Sequence, residues 1–235
     1  MLINFRVVEL FDSLEGEGKR AGLPATFIRL AGCNLRCTYC DTAHALANDA
    51  GEEMTLEEIL KRVNPFYNRV TLTGGEPLQA PRVGELVQAL LAQKCEVNIE
   101  TNGSVDVAGF CEAIGGRNQQ LFFTIDYKLP SSGECDKMLE ANYYNLAAHD
   151  VLKFVVGAVS DISAMLDLLA RMVAQSAVMP QVFIGAVAAK DGGYEGISLP
   201  ALADIILREP LLHTHNARLQ LQFHKIIWGH DVHGV

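Results

Sequence analysis

The chain has 235 residues and a formal net charge of −9, with 49% hydrophobic and 20% charged residues. That length and composition support a sizeable core and exclude a wholly disordered protein. The acidic balance argues against broad nucleic-acid or acidic-membrane binding, which needs a concentrated positive surface. No uncharged apolar run approaches the roughly 20 residues of a membrane helix. Arg6, Glu9 and Asp12 interrupt the opening apolar stretch, so a secretory leader is not expected and a cytoplasmic setting is. Stable disulfides are uncommon in that setting, so the six cysteines need another reading.

In chain order, Leu2–Leu10 is a candidate opening strand and Ala25–Leu30 the first buried one. Leu56–Val63 carries apolar residues at helical spacing, and Thr55 with Glu58 forms a capping-box pattern before it. Val70–Thr73, Val97–Thr101, Phe122–Tyr127, Val151–Val156 and Gln181–Val187 are predicted strands. Arg82–Ala92, Ser163–Val173 and Leu199–Leu207 are predicted helices, and Arg218–Phe223 is a late candidate strand. Such alternation implies an α/β fold with a mainly parallel sheet, curled or open. No repeat, linker or low-complexity tract divides the chain, so residues 1–235 are expected to form one domain.

Polar clusters follow the strands. Gly74-Gly75-Glu76-Pro77 comes after one, Asn102-Gly103 after the next, and Lys128–Gly133 after the one beyond. Sites in parallel α/β folds form at the carboxyl ends of strands, so these loops are expected to share one pocket. Cys33, Cys37 and Cys40 crowd into a loop just past the first buried strand, whereas Cys95, Cys111 and Cys135 are scattered and suit packing. Three thiols at this spacing can converge on a metal. With His44 they would make a closed zinc site; without a fourth ligand they would hold an iron–sulfur cluster with one open iron. Spacing alone leaves both open.

The Cys33–Cys40 loop, with Tyr39 before its last cysteine, resembles the C-x3-C-x2-C signature of the radical S-adenosylmethionine (SAM) superfamily. Gly74–Pro77 resembles that superfamily's Gly-Gly-Glu-Pro element. The resemblance implies a partial, open TIM-like βα barrel. It also implies a [4Fe–4S] cluster on Cys33, Cys37 and Cys40, the catalytic ligands. SAM would chelate the unique iron and yield a 5′-deoxyadenosyl radical on one-electron reduction. His44 then becomes a bystander.

Further motifs narrow the family. Asp12–Gly18 (DSLEGEG), Phe27–Asn34, Cys40-Asp41-Thr42, Glu100–Gly103, Asp126–Gly133 and Gln222–Lys225 with Trp228-Gly229 resemble 7-carboxy-7-deazaguanine synthases. Members convert 6-carboxy-5,6,7,8-tetrahydropterin to 7-carboxy-7-deazaguanine, contracting a ring and losing ammonia, on the way to queuosine and related deazapurines. The resemblance gives pterin binding to Leu14, Glu15, Gly16, Glu17, Arg29, Thr73, His224 and the carboxylate of Val235. Arg29 would pair with the substrate carboxylate, as a planar guanidinium does bidentately. Glu15 stands where relatives commonly carry Gln, and an ionised carboxylate accepts hydrogen bonds but donates none.

SAM contacts are implied for Tyr39, Cys40, Asp41, Gly75, Glu100, Asn102, Asp126, Tyr127 and Lys128, with Glu76 bracing its loop. Gln181, Val182, Phe183 and Ile184 would hold the adenine through backbone groups. Thr42 would contact Mg²⁺, a hard ion that prefers oxygen. A homodimer is expected, with flavodoxin or ferredoxin as electron donor. Two rivals remain: a glycyl-radical-enzyme activase with the same cysteine loop, and a zinc-stabilised binding module on Cys33, Cys37, Cys40 and His44. The cluster reading predicts a brown anaerobic preparation that dithionite bleaches; a colourless protein with stoichiometric zinc would refute it.

Overall fold

Alternation within the strands determines the architecture. In the strand Pro24–Leu30 (β2), Ile28 and Leu30 are buried in the main hydrophobic core, while Phe27 and Arg29 point to the opposite, concave side. The same division runs through Arg69–Gly74 (β4), Glu96–Thr101 (β5), Leu121–Tyr127 (β6) and Val151–Val156 (β7). Val70, Leu72, Val97, Ile99, Phe123, Ile125, Leu152 and Phe154 enter the core, and Thr73, Glu100, Thr124, Asp126 and Lys153 line the concave side. Side chains along a strand alternate between faces, so each strand serves two environments at once.

The computed structural model describes residues 3–188, 196–229 and 232–235. Asn4–Leu14 (β1) pairs antiparallel with β2 and with the short strand Glu52–Thr55 (β3). From β2 onward the sheet is parallel through β4, β5, β6, β7, Gln181–Ala186 (β8) and Arg218–Leu219 (β9). The order β3-β1-β2-β4-β5-β6-β7-β8-β9 leaves the end strands unpaired with each other, so the barrel is open. Helices Leu56–Arg62 (α1), Val83–Ala92 (α2), Val107–Ala113 (α3), Val159–Ala174 (α5) and Leu199–Arg208 (α6) supply Ile59, Leu86, Val107, Leu168 and Leu202 to the core outside the sheet. Glu140–Tyr144 (α4) and Pro210–Thr214 (α7) add Tyr143 and Leu212.

The predicted strands and helices are present with small shifts at their ends. Two expectations need correction. The opening strand is longer and forms an antiparallel border, and Arg218–Phe223 is a strand only over Arg218–Leu219. The chain turns away there because Gln220 Oε1 accepts from Gly18 N at 2.8 Å and Phe223 N donates to Gly16 O at 3.0 Å. These bonds draw it across the concave side into the helix Phe223–Trp228 (α8).

The capping box is formed: Glu58 N donates to Thr55 Oγ1 at 3.2 Å, and Thr55 N donates to Glu58 Oε2 at 2.8 Å. Thr55→Ala is therefore expected to cost about 1 kcal/mol of unfolding free energy. The measurement is a lower urea midpoint with an unchanged slope.

Candidate functional site

The concave side and the carboxyl ends of the parallel strands enclose a cavity of about 320 Å³. Cys33, Cys37 and Cys40 form part of its wall, and all three are free, partly buried thiols. The loop that carries them is held on two sides. Glu76 N donates to Gly32 O at 2.7 Å, and Thr38 N donates to Ser132 O at 3.0 Å. A Cβ on Gly75 would lie 2.3 Å from Gly32 O and 2.7 Å from Cys33 Cβ, so only glycine allows this approach.

Glu76 joins three loops from beneath. Its carboxylate accepts from Leu78 N at 3.0 Å, Thr101 Oγ1 at 2.8 Å and Asn102 N at 2.7 Å. Burial pushes its pKa up to about 7 against these bonds. Asn102 then directs its amide to Asn34 Oδ1 at 3.1 Å and to Cys33 Sγ at 3.8 Å. The loops after β2, β4 and β5 are thus one hydrogen-bonded unit.

The thiols suit a cluster better than a single ion. Among the described residues, Glu9, His44 and His233 are the sole trio of His, Cys, Asp or Glu whose ligand atoms gather within 4.8 Å. The three sulfurs do not gather that closely, which is compatible with ligation to separate irons of one cluster. His44 is engaged with Glu9 at 3.4 Å, so the Cys₃His zinc arrangement is not formed. Burial raises the Cys33 thiol and pushes Cys37 up to about 11. Thiolates at Cys33 and Cys37 therefore need the compensating positive charge that a cluster's irons would supply.

Charged residues on the concave face occur in pairs. Lys153 bonds Glu17 directly, and Lys128 Nζ donates to Asp126 Oδ2 at 2.7 Å. Arg29 Nε donates to Glu9 Oε2 at 2.6 Å. Burial alone would lower Lys153, but Glu17, Asp126 and Glu100 more than reverse it, holding the ammonium well above the usual lysine range. Burial raises the Glu100 carboxyl, with Glu15 and Glu17 adding to the shift and Lys153 opposing it. Asp126 Oδ1 is buried with no hydrogen-bond partner among the described residues, an unused acceptor within the cavity wall.

The loop after β1 meets the chain's closing segment. A Cβ on Gly16 would lie 2.0 Å from His224 Nδ1, so glycine is required for His224 to reach the cavity. Burial lowers the His224 imidazole, partly opposed by Glu17. Lys225 Nζ donates to Asp41 Oδ2 at 3.0 Å, fastening α8 to the cysteine loop. Glu15 turns its side chain into a buried cluster, where it accepts from Arg20 and Thr71. Arg20 also reaches Thr71 Oγ1 at 2.6 Å and Val70 O at 3.2 Å.

Most sequence-predicted residues share this cavity: Leu14, Glu15, Gly16, Glu17, Arg29, the three loop cysteines, Tyr39, Asp41, Thr42, Thr73, Gly75, Glu100, Asn102, Asp126, Lys128, His224 and Val235. Six do not line it. Glu76 is fully buried as a brace. Tyr127 lies one alternation step past Asp126, and its ring packs edge-on to Tyr143 and Phe154. Val182 and Ile184 face the core, and Gln181 and Phe183 lie too early on β8; Gly185, Ala186, Val187 and Ala188 line the cavity instead. Sequence reasoning missed Lys153, Thr124, Glu9 and Gln220 as wall residues. A lysine within the apolar run VLKFVV was the available signal for Lys153.

Known proteins share this organisation. The radical SAM superfamily model matches residues 27–126. A 7-carboxy-7-deazaguanine synthase from Clostridium acetobutylicum is 37% identical, over 99% of this chain and 100% of its own. The chain belongs to the 7-carboxy-7-deazaguanine synthase family. A synthase of that name from Methanospirillum hungatei is 36% identical over 94% of this chain and 85% of its own. The QueE crystal structure from Escherichia coli has a likeness of fold, with TM-score 0.68, 24% identity and 92% of each chain covered. The family's sequence likeness therefore extends well beyond the radical SAM core to the loop after β1 and to α8.

Arg20 and Glu15 are 5% and 3% exposed in their side chains, so replacing one strands the other's charge. Arg20→Met is expected to cost about 3–5 kcal/mol, measured by urea denaturation. Destabilisation below about 1 kcal/mol would show that the pair is solvated.

Proposed function

We propose that this chain is a 7-carboxy-7-deazaguanine synthase, converting 6-carboxy-5,6,7,8-tetrahydropterin to 7-carboxy-7-deazaguanine with ring contraction and ammonia loss. The supporting observation is likeness along the whole chain to synthases of that name. In this reading Cys33, Cys37 and Cys40 hold a [4Fe–4S] cluster. Bound with SAM, the cluster supplies the one-electron chemistry that starts hydrogen abstraction.

The chain's own groups then bind, orient and exclude water. Gly75 admits the SAM methionyl group beside the cysteine loop. Asp126 Oδ1, unpaired and buried, accepts a hydrogen bond from the cofactor, while Lys128 fixes the other oxygen. Tyr39, Asp41 and Asn102 would complete that side, and Gly185–Ala188, which line the cavity where Gln181–Ile184 do not, would hold the adenine.

The pterin occupies the opposite half. Glu15 is held by Arg20, so the backbone of Leu14–Gly16 reads the ring edge and the Glu15 side chain does not. Arg29 exchanges its Glu9 contact for the substrate carboxylate, with Thr73 and His224 alongside. Glu17 and Lys153 remain paired beneath the ring, and Glu100 offers a carboxyl that retains its proton more readily than usual. Thr42 and Asp41 present hard oxygen donors for Mg²⁺ with substrate oxygens. A homodimer, a flavodoxin or ferredoxin donor and a cytoplasmic setting belong to the same proposal.

Anaerobic turnover of the reconstituted protein with SAM, Mg²⁺, a reductant and the pterin tests the reading by mass detection of 7-carboxy-7-deazaguanine. Intact SAM cleavage without that product would overturn the substrate assignment. Arg29→Lys is expected to raise KM at least about tenfold with cluster absorbance unchanged, because bidentate pairing is lost. Glu15→Gln is expected to leave substrate affinity unchanged; a weakened complex would show that its carboxylate contacts the pterin.

A further inference from the structure

Three side chains from distant parts of the chain meet at the mouth of the cavity. Glu9 comes from β1, His44 from the 3-10 turn Ala43–Ala45 beyond the cysteine loop, and His233 from the terminal segment. One ligand atom of each lies within 4.8 Å of the other two. His44 Nε2 and Glu9 Oε2 are 3.4 Å apart. Neighbouring ligands of a tetrahedral zinc-type ion lie about 3.3 Å apart, given metal–ligand bonds of about 2.0–2.1 Å. The His44 and His233 rings meet edge to face, with centroids 4.5 Å apart. Neither histidine has a task in the substrate and cofactor reading above.

The donor set selects a class of ion. Two imidazoles and one carboxylate suit Zn²⁺ and its borderline neighbours, whereas Mg²⁺ prefers oxygen throughout. Arg29 holds the Glu9 carboxylate in place through Oε2 at 2.6 Å. Its positive charge tempers the affinity until Arg29 turns to the substrate carboxylate, and the β1 backbone keeps Glu9 in place throughout. Ala45 is buried and its carbonyl accepts from Gly32 N at 2.8 Å, which fixes the His44 backbone, while both imidazoles are exposed and free to turn toward an ion.

We propose that Glu9, His44 and His233 bind a zinc-class divalent cation, which clasps the terminal segment to the wall of the cavity mouth. The ion joins β1, the cysteine loop's exit and residues 232–235, which no strand pairing connects. The fourth position belongs to water.

Cluster-loaded protein is dialysed anaerobically against Zn²⁺, and iron and zinc are counted separately per chain. One zinc above the full iron content is expected in the parent protein. It should disappear in His44→Ala and in His233→Ala with iron unchanged, and excess Mg²⁺ should not displace it. Zinc should also slow removal of the last residues by a serine carboxypeptidase in the parent, and not in His233→Ala. Both histidines are exposed, so neither substitution threatens folding. Zinc absent above the iron content, zinc surviving both substitutions, or zinc displaced by Mg²⁺ would each overturn the proposal.

Discussion

The two-faced strand is the constraint on which everything else rests. Each parallel strand from β2 to β7 must give its outer residues to the helices and its inner residues to the cavity. Apolar burial on the outer face provides the cohesion, at roughly 25 cal/mol per Å² removed from water. That frees the inner face to carry Arg29, Thr73, Glu100, Thr124, Asp126 and Lys153, residues a fully packed interior would reject. A closed barrel of this size would fill with side chains. Because the sheet stays open, its concave face is available to ligands.

Burying that much charge imposes its own order. Sheet register pairs Glu9 with Arg29 across β1 and β2, whereas Glu17 reaches Lys153 of β7 from the loop after β1, and Lys128 folds back on Asp126 from the end of β6. The chain's overall acidity hardly matters inside, where each cation is matched at contact distance. Glu76 plays the equivalent part for the backbone, joining the loops after β4 and β5 while Gly75 admits the cysteine loop alongside. Positioning of the thiols is thus inherited from a carboxylate that never touches the cavity.

Much of this was legible in the sequence, and the exceptions have physical causes. Strands such as Val151–Val156 announce themselves through apolar content, and the loops after them carry glycine, proline and asparagine at recognisable places. Lys153 and Thr124 escaped because they sit inside strands rather than in loops, where only the period-two pattern marks them. Arg20 was invisible because its partners Val70 and Thr71 lie some fifty positions away and are brought near only by sheet pairing. Gln181–Ile184 lies outside the cavity wall, with Gly185–Ala188 lining it, because how far β8 rises relative to its neighbours depends on stagger, which one sequence does not encode. The short strand β3 and the early end of β9 reflect the same limit: edge pairing is settled by what lies alongside.

The attachment of α8 bears on local stability. It crosses the open side of the sheet on a handful of contacts: Phe223 N to Gly16 O, Gln220 to Gly18 N, and Lys225 to Asp41. Phe223, Ile226 and Ile227 on this helix stay exposed and add little to its grip. A segment held so lightly opens locally at far lower cost than unfolding the sheet. The packed barrel and this lightly attached helix therefore differ in local stability, although both form the wall of one cavity.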